Sequence, residues 1–504
     1  FTSNLPVVEY ETVRENFIGL YRNENNPQAI MENSLTSQST DFGNAVGVLK
    51  VDVQLQPGEK KDVAFTMGII PKEKFEEQKA SSKKFQDVKE IEIAFAAIQK
   101  KWDEKLGFVN VQSPDVDATT FLNYWTQYQA QVAFDVGRVA SFYYWGISRG
   151  FGFRDTAQDT IAVTITDPAK AKERICLLAR QMFTDGSVYH HYYRDGQGEK
   201  TGHCDDPLWF IFAVTDYIKE TGDFDILGYC EPFVDAKSGS ILEHLESTLI
   251  FIENILGKHN LPIFGRGDWN DTLDYIGGDD GGESVWGGMF YVVALNLFIE
   301  LLEKINDKEI IVKAKELKTR ITNSINEHCW DGEWYIRAFG ADDRKIGSRE
   351  NDAGKIFLNT QSWAVIGEIA EQEKLVSAMD SVNKHLNTAV GPKICAPAYK
   401  EIDGSVGLIT RCVAGKKENA AVFYHPTTWA IQAECLLGRG NNAYKYYKEL
   451  LPNSVDPDTY QSEPYVYPQY VTSDEHPTEG MASHSWQTGT AAWMFRVCVD
   501  YMLG

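Results

Sequence analysis

Residues Ser284–Ile305, SVWGGMFYVVALNLFIELLEKI, followed closely by residues 309–326, EIIVKAKELKTRITNSIN, decide the fold class. Ser284 stands where a helix near 285–305 needs its cap, and the second stretch reads as the neighbouring helix. The same alternation of helix and loop extends outward from here, back to Gly107 and forward almost to the C-terminus. Candidate helices lie near 117–140, 155–165, 168–183, 207–221, 238–257, 285–305, 309–326, 357–370, 373–386, 427–438, 440–451 and 486–502, twelve in all. Asp155 and Asp167 occupy further cap-like positions, and Gly222, Gly257 and Gly438 follow helix ends. Between the helices run long loops rich in Gly, Asp and aromatic residues, at 141–154, 184–206, 260–283, 387–425 and 453–485. Loops of that length in a compact domain usually carry function. A mainly α toroid is expected, six inner and six outer helices with the loops converging over one end.

Upstream of Gly107 the period changes. Val51, Val53 and Leu55 alternate with polar residues, Pro57-Gly58-Glu59-Lys60 reads as a turn, and Val63, Phe65 and Met67 resume the alternation, which predicts a hairpin. Residues 1–72 are too few to bury a sheet alone, so they read as the C-terminal part of a β-sandwich whose first strands are expected upstream of Phe1. Val88, Ile91, Phe95, Ile98 and Trp102, spaced three and four apart, predict an amphipathic linker helix within 73–106. Residues 107–504 then form the helical domain.

The 504 residues are 43% hydrophobic and 24% charged, which excludes a disordered chain. With 49 Lys and Arg against 72 Asp and Glu the formal charge is −23, a balance that disfavours nucleic-acid binding. No uninterrupted apolar run approaches the roughly 20 residues of a membrane span, so no membrane partner is expected. The eight cysteines are dispersed without a Cys-x-x-Cys pair, a pattern of reduced thiols that predicts a cytoplasmic enzyme without a disulfide framework. At 12% aromatic residues, the acidic chain fits two readings equally: sugar sites built from flat rings and carboxylates, or a large aromatic core.

Chemistry concentrates in a few loops. Gly265-Arg266-Gly267-Asp268-Trp269-Asn270-Asp271 sets two carboxylates beside an indole, and a Trp beside a carboxyl lowers the local dielectric and raises its pKa, as a general acid requires. The 148–159 loop mixes Arg149, Arg154, Asp155 and Asp159 among glycines, an arrangement for gripping hydroxyls or a structural Arg–Asp cluster. Lys417-Glu418-Asn419 leads to His425 at a helix start, and Thr488-Gly489 precedes the last helix; free N–H groups and the helix dipole there favour an anion, although a plain cap and tight turn is the commoner reading of either motif alone. No phosphate loop or dinucleotide fingerprint occurs, so no nucleotide cofactor is expected. His190-His191 and His203-Cys204-Asp205-Asp206 lack a recognised ligand spacing, so no metal is expected. Glu463-Pro464-Tyr465 adds one more carboxylate, either a sugar contact or a loop anchor.

Arg149 through Asp159, Gly267-Asp268-Trp269-Asn270-Asp271, Lys417-Glu418-Asn419 leading to His425, Glu463 through Gln469, and Trp486-Gln487-Thr488-Gly489-Thr490-Ala491-Ala492-Trp493 stand in an order that resembles glycoside hydrolase family 94. That family holds cellobiose, cellodextrin and chitobiose phosphorylases and the phosphorylase-like domain of cyclic β-1,2-glucan synthases. The resemblance implies a β-sandwich, a linker helix and an (α/α)6 barrel. It implies inverting phosphorolysis of a β-glucoside, with a di- or oligosaccharide and inorganic phosphate as the binding partners and no further cofactor. Asp271 would be the general acid; Arg149, Asp155 and Trp269 would hold the donor sugar; His425, Gln469, Thr488 and Gly489 would bind phosphate. Glu418 and Glu463 match acidic positions of the family. Homodimers are expected by the same analogy. The alternatives are an inverting hydrolase on the same barrel, with Glu463 or Glu418 as base, and a non-catalytic carbohydrate-binding fragment. The loops near 184–206 and 387–415 match no subfamily, which leaves the acceptor open.

Overall fold

A computed structural model describes residues 1–40, 42–138, 150–193, 195–236, 238–276 and 281–504. The chain divides into two compact units, residues 1–105 and 106–504.

In the first unit Val7–Val13 pairs antiparallel with Ala45–Val51, and Thr2–Ser3 pairs with Phe65–Thr66. The predicted hairpin does not form. Its turn is present, with Glu59 N–H donating to the Gln56 carbonyl at 2.9 Å, but its flanks pair with the two N-terminal strands and not with each other. Val53, Leu55 and Val63 are exposed in consequence. Two strands alone bury too little to hold together in water, and the N-terminal strands offer the competing edge. The expected linker helix is two helices, Phe75–Lys84 and Val88–Leu106, preceded by a 3-10 turn at Lys72–Lys74.

The second unit is an (α/α)6 barrel. Each of the twelve predicted helices occurs within a few residues of its expected position. Six helices are buried on nearly all sides: Phe153–Thr166, Leu208–Thr221, Val285–Ile305, Leu358–Ile366, Tyr424–Leu436 and Thr490–Val497. Each packs on the next, and the last returns to the first, so the inner ring closes. The outer helices, such as Lys308–His328 and Gln372–His385, bury one face only, along an apolar stripe. Val285–Ile305 is long and apolar enough to cross a membrane, yet it is an inner stave with most of its residues buried in the barrel. An inner helix touches neighbours all round, so a continuous apolar sequence is what its position demands.

The barrel core is aromatic. Trp209, Trp286, Trp363, Trp429 and Trp493 interlock, with Trp286–Trp363 and Trp363–Trp429 at 5.7 and 5.2 Å and close to perpendicular. The indole N–H groups of Trp286, Trp363 and Trp429 have no hydrogen-bond acceptor among the described residues, and edge-to-face packing offers them ring faces instead. Much of the aromatic composition therefore serves the core.

Short β-bridges at Phe151–Gly152, Glu283–Ser284, Ile356–Phe357 and Val422–Phe423 lead directly into four inner helices. They tie the helix N-termini to the long loops at one end of the barrel, and that end carries a large cavity.

Candidate active site

A cavity of about 760 Å³ opens over this end. Its wall takes residues from the N-terminal turns of the inner helices beginning at Phe153 and Tyr424, from Gln487 and Thr488 just ahead of the helix beginning at Thr490, and from the loops around 190–203, 266–274 and 417–418. Five Arg or Lys and five Asp or Glu line it, so the cavity is formally neutral inside a chain of charge −23. Three helix N-termini add partial positive charge.

The Gly265–Asp271 loop separates the roles of its two carboxylates. Asp268 is fully buried; Arg337, also fully buried, donates to both of its oxygens at 2.6 Å, and Ser284 Oγ donates at 2.6 Å. Arg337 also donates to Asn270 Oδ1 at 2.9 Å, and Asn359 Nδ2 reaches the same oxygen at 3.0 Å. This network fixes the loop. Asp271 then faces the cavity, its side chain 61% exposed.

Buried Arg154 donates to Asp271 through Nη2 and to the Asp268 carbonyl through Nη1 at 2.7 Å. Desolvation opposes the charge on Asp271, but Arg154, with His203 and His190, holds the carboxyl below its usual range. The expectation that Trp269 raises the Asp271 pKa does not hold. Trp269 is buried and packs edge-on against Phe423, His425 and Trp429 at 5.0–5.6 Å, while the guanidinium dominates the field at Asp271. Trp269 still contributes to the cavity wall.

Glu418 is buried beneath the same loop. Its Oε2 accepts from Asn270 Nδ2 at 3.0 Å and Thr272 Oγ1 at 2.8 Å. Burial, then the neighbouring Asp271 charge, pushes its pKa up to about 7.

Elsewhere on the cavity wall, Gly489, His425 and Arg138 meet. A Cβ on Gly489 would lie 2.8 Å from His425 Cε1 and 2.9 Å from Arg138 Cζ, so glycine is what lets the guanidinium and the imidazole close over the start of the last helix. His425 is buried and its Nε2 has no hydrogen-bond partner among the described residues. Burial, with Arg138 nearby, drives its pKa well below the usual value, leaving a neutral imidazole. Arg138 is anchored by Asp155 Oδ1 at 2.6 Å and by both oxygens of buried Asp159 at 3.0–3.2 Å. Thr488 Oγ1 accepts from Thr490 N–H at 3.1 Å, and Gln469 Oε1 accepts from Lys417 Nζ at 2.8 Å. Lys417, Ala420, His484 and Trp486 all hold left-handed backbone, so strain gathers in the two segments that flank this wall.

Asp271, Asp155, Trp269, Glu418, His425, Gln469 and Thr488 thus share one cavity, and Gly489 lies immediately behind it. Glu463 does not line the cavity; its Oε2 accepts from Ser462 Oγ at 2.7 Å. Arg149, and residues 277–280 of the 260–283 loop, lie outside the described residues. Asp155, expected at the donor sugar, spends one oxygen on Arg138. The sequence reading missed Arg138, which sits at a helix end with no motif around it. It read Arg154 only as part of a loop for gripping hydroxyls or a structural cluster, and it assigned no role to Lys417.

His190, His203 and Asp206 come together although their spacing gave no such signal. His190 Nδ1 lies 2.8 Å from Asp206 Oδ2, and the two imidazoles stack 3.9 Å apart at 7°. Asp206 outweighs the effect of burial and raises the His190 pKa, whereas burial and Arg154 lower His203 to about 4. Parallel rings point their nitrogen lone pairs in parallel planes, a poor arrangement for converging on one ion.

A family model described as "Glycosyl hydrolase 94 superfamily, catalytic domain" matches residues 101–504, and one described as "Glycosyl hydrolase 94, supersandwich domain" matches residues 1–88. An N,N'-diacetylchitobiose phosphorylase of Vibrio furnissii is 32% identical over 533 aligned positions, covering 100% of this chain and 66% of its own length. A solabiose phosphorylase of Paenibacillus borealis is 32% identical over 505 positions, covering 98% of this chain and 63% of its own. The chain therefore spans just under two thirds of these relatives. Among solved structures, that of a glycosidase variant aligns with a TM-score of 0.51 at 9% identity, over 77% of this chain and 99% of that one, a likeness of fold alone.

Proposed function

The chain belongs to the glycosyl hydrolase 94 family, and from that premise we propose that it carries out inverting phosphorolysis of a β-linked di- or oligosaccharide. One observation carries the reading: a carboxylate facing solvent, Asp271, shares a cavity with Arg138 and with His425 and Thr488 at the start of inner helices. Phosphate held by Arg138, His425, Thr488 and Gly489 attacks the anomeric carbon. The bond to the leaving oxygen breaks as Asp271 protonates it. The products are an α-sugar 1-phosphate and a shortened acceptor, and the reaction is reversible because little bond energy is lost.

Asp271 is an ion-paired carboxylate in the open cavity, so it must gain its proton before it can act as an acid. An incoming phosphate brings negative charge beside it and favours that protonation. The neutral balance of the cavity wall and the helix termini answer the long-range repulsion expected at −23.

A hydrolase on the same barrel would need a second carboxylate to activate water, roughly 6.5–9.5 Å from the acid. Glu463 lies off the cavity wall and Glu418 is occupied by Asn270 and Thr272, so neither supports that role. The phosphorylases among the relatives differ in their named sugars, chitobiose and solabiose, so the donor is tested with both glucose and N-acetylglucosamine. The eight free cysteines support a cytoplasmic setting, and a homodimer is carried over by family analogy.

The test supplies α-glucose 1-phosphate or its N-acetylglucosamine counterpart with candidate acceptors and measures released phosphate, then runs the reverse with and without phosphate. Phosphate-dependent release of sugar 1-phosphate supports the reading. Free sugar released without phosphate overturns it.

A further inference from the structure

Arg266 is the tip of a turn with a fixed backbone and, among the described residues, an unengaged side chain. Gly267 N–H donates to the Phe264 carbonyl at 3.0 Å, closing the turn, and the flanking Gly265 and Gly267 hold φ of 60° and 151°. Those glycines let the chain pass close to the 202–204 segment: His203 bridges to Gly265, and Cys204 N–H donates to the Gly267 carbonyl at 3.1 Å. A Cβ on Gly267 would lie 3.2 Å from His203 Cδ2, so the contact is tight. Five residues later the same loop delivers Asp271.

The other cations of the cavity wall are engaged. Arg138 and Arg154 hold buried carboxylates, Lys200 pairs with Asp185 at 3.2 Å, and Lys417 donates to Gln469. Among the described residues Arg266 has no ion pair and no hydrogen bond, and it is exposed on the cavity wall. Guanidinium groups at that kind of site recognise planar pairs of oxygens. In an inverting displacement the nucleophile and the leaving group lie on opposite faces of the anomeric carbon. The acid protonates the departing oxygen, so the departing sugar lies beside Asp271, on whose loop Arg266 stands.

We propose that Arg266 is the specificity-determining contact of the leaving sugar, its guanidinium gripping a pair of oxygens, a vicinal diol or a carboxylate. The proposal rests on the phosphorolytic reading, because that reading fixes which side the sugar leaves from. His203, stacked on His190 and close against Gly267, and Thr201, whose Oγ1 lies 2.6 Å from His203 Nδ1, complete the same wall.

Calorimetric titration of glucose, N-acetylglucosamine and glucuronate into the full chain saturated with sulfate tests this without relying on turnover. At least one sugar is expected to bind the wild type; Arg266→Ala should weaken it by about tenfold or more and Arg266→Lys recover only part, since a point charge does not replace a bidentate fork. Sulfate affinity should be equal in all three proteins, which reports an intact fold and anion wall. Equal losses for all bound sugars assign a diol, and a loss confined to glucuronate assigns a carboxylate. Sugar affinity within twofold of wild type in Arg266→Ala, or no binding of any of the three to wild type, overturns the proposal. Turnover that ignores phosphate would instead remove the phosphorolytic reading while leaving the measured sugar contact standing.

Discussion

Arg154 is buried and Asp271 faces the cavity, yet the two are ion-paired, and the same guanidinium grips the backbone carbonyl of Asp268 three residues earlier. One side chain thus sets both the position of the carboxylate and its charge in the open site. The carboxyl must therefore be protonated before it can act as an acid.

Asp271→Asn is expected to lower turnover by at least about 10²–10⁴-fold, the usual contribution of a positioned general acid. Its melting temperature should stay near the wild-type value, because Asp268 and Asn270 hold the loop. Near-normal phosphorolysis in this variant would remove Asp271 from the acid role.

Anion binding should take up protons. The Asp271 carboxyl is held low by Arg154, and Glu418 already stands near 7. A bound anion beside them raises both values, so the complex carries more protons than the free protein, and affinity must fall as pH rises through neutrality. Sulfate, which does not titrate there, isolates the effect. Calorimetry in buffers of different ionisation enthalpy should show net uptake that shrinks in Asp271→Asn; net release would contradict the arrangement.

Gly489→Ala tests the anion wall without removing a charge. The new methyl would crowd Arg138 and His425, and displacement of such groups by about 1 Å costs up to roughly a hundredfold in rate. The phosphate KM should rise far more than the sugar KM. His425→Ala should shift the same ratio in the same direction, and an unchanged phosphate dependence in both would dissociate this corner from the anion.

Arg337→Ala removes the partner of a buried carboxylate. A loss of about 3–5 kcal/mol is expected from the unpaired Asp268, together with loosening of the Asn270 loop. Chemical denaturation measures the first, and turnover lost in excess of unfolding measures the second. Stability within about 1 kcal/mol of wild type would show that the network is not what fixes the loop.

The twelve helices were legible because each depends on local spacing and on caps such as Ser284 and Asp167, which neighbours in sequence supply. The hairpin across Pro57 was misread for a related reason: alternation marks strands but does not name partners, and the partners were Val7–Val13 and Thr2–Ser3. Asp271 and His425 stood in motifs, whereas Arg138 had none, and its meeting with Gly489 joins residues 351 positions apart by number. The amino-acid order by itself determined the helical ring, the loops that carry chemistry and the family. Only tertiary structure decided which of two neighbouring aspartates is buried against Arg337 and which faces the cavity, that Arg154 and not Trp269 governs the acid's charge, and that Arg266 stays unpaired among the described residues. Charge and hydrogen-bonding environments are set by groups brought together through space, and a carboxylate carries no local mark of the cation that folding will place beside it.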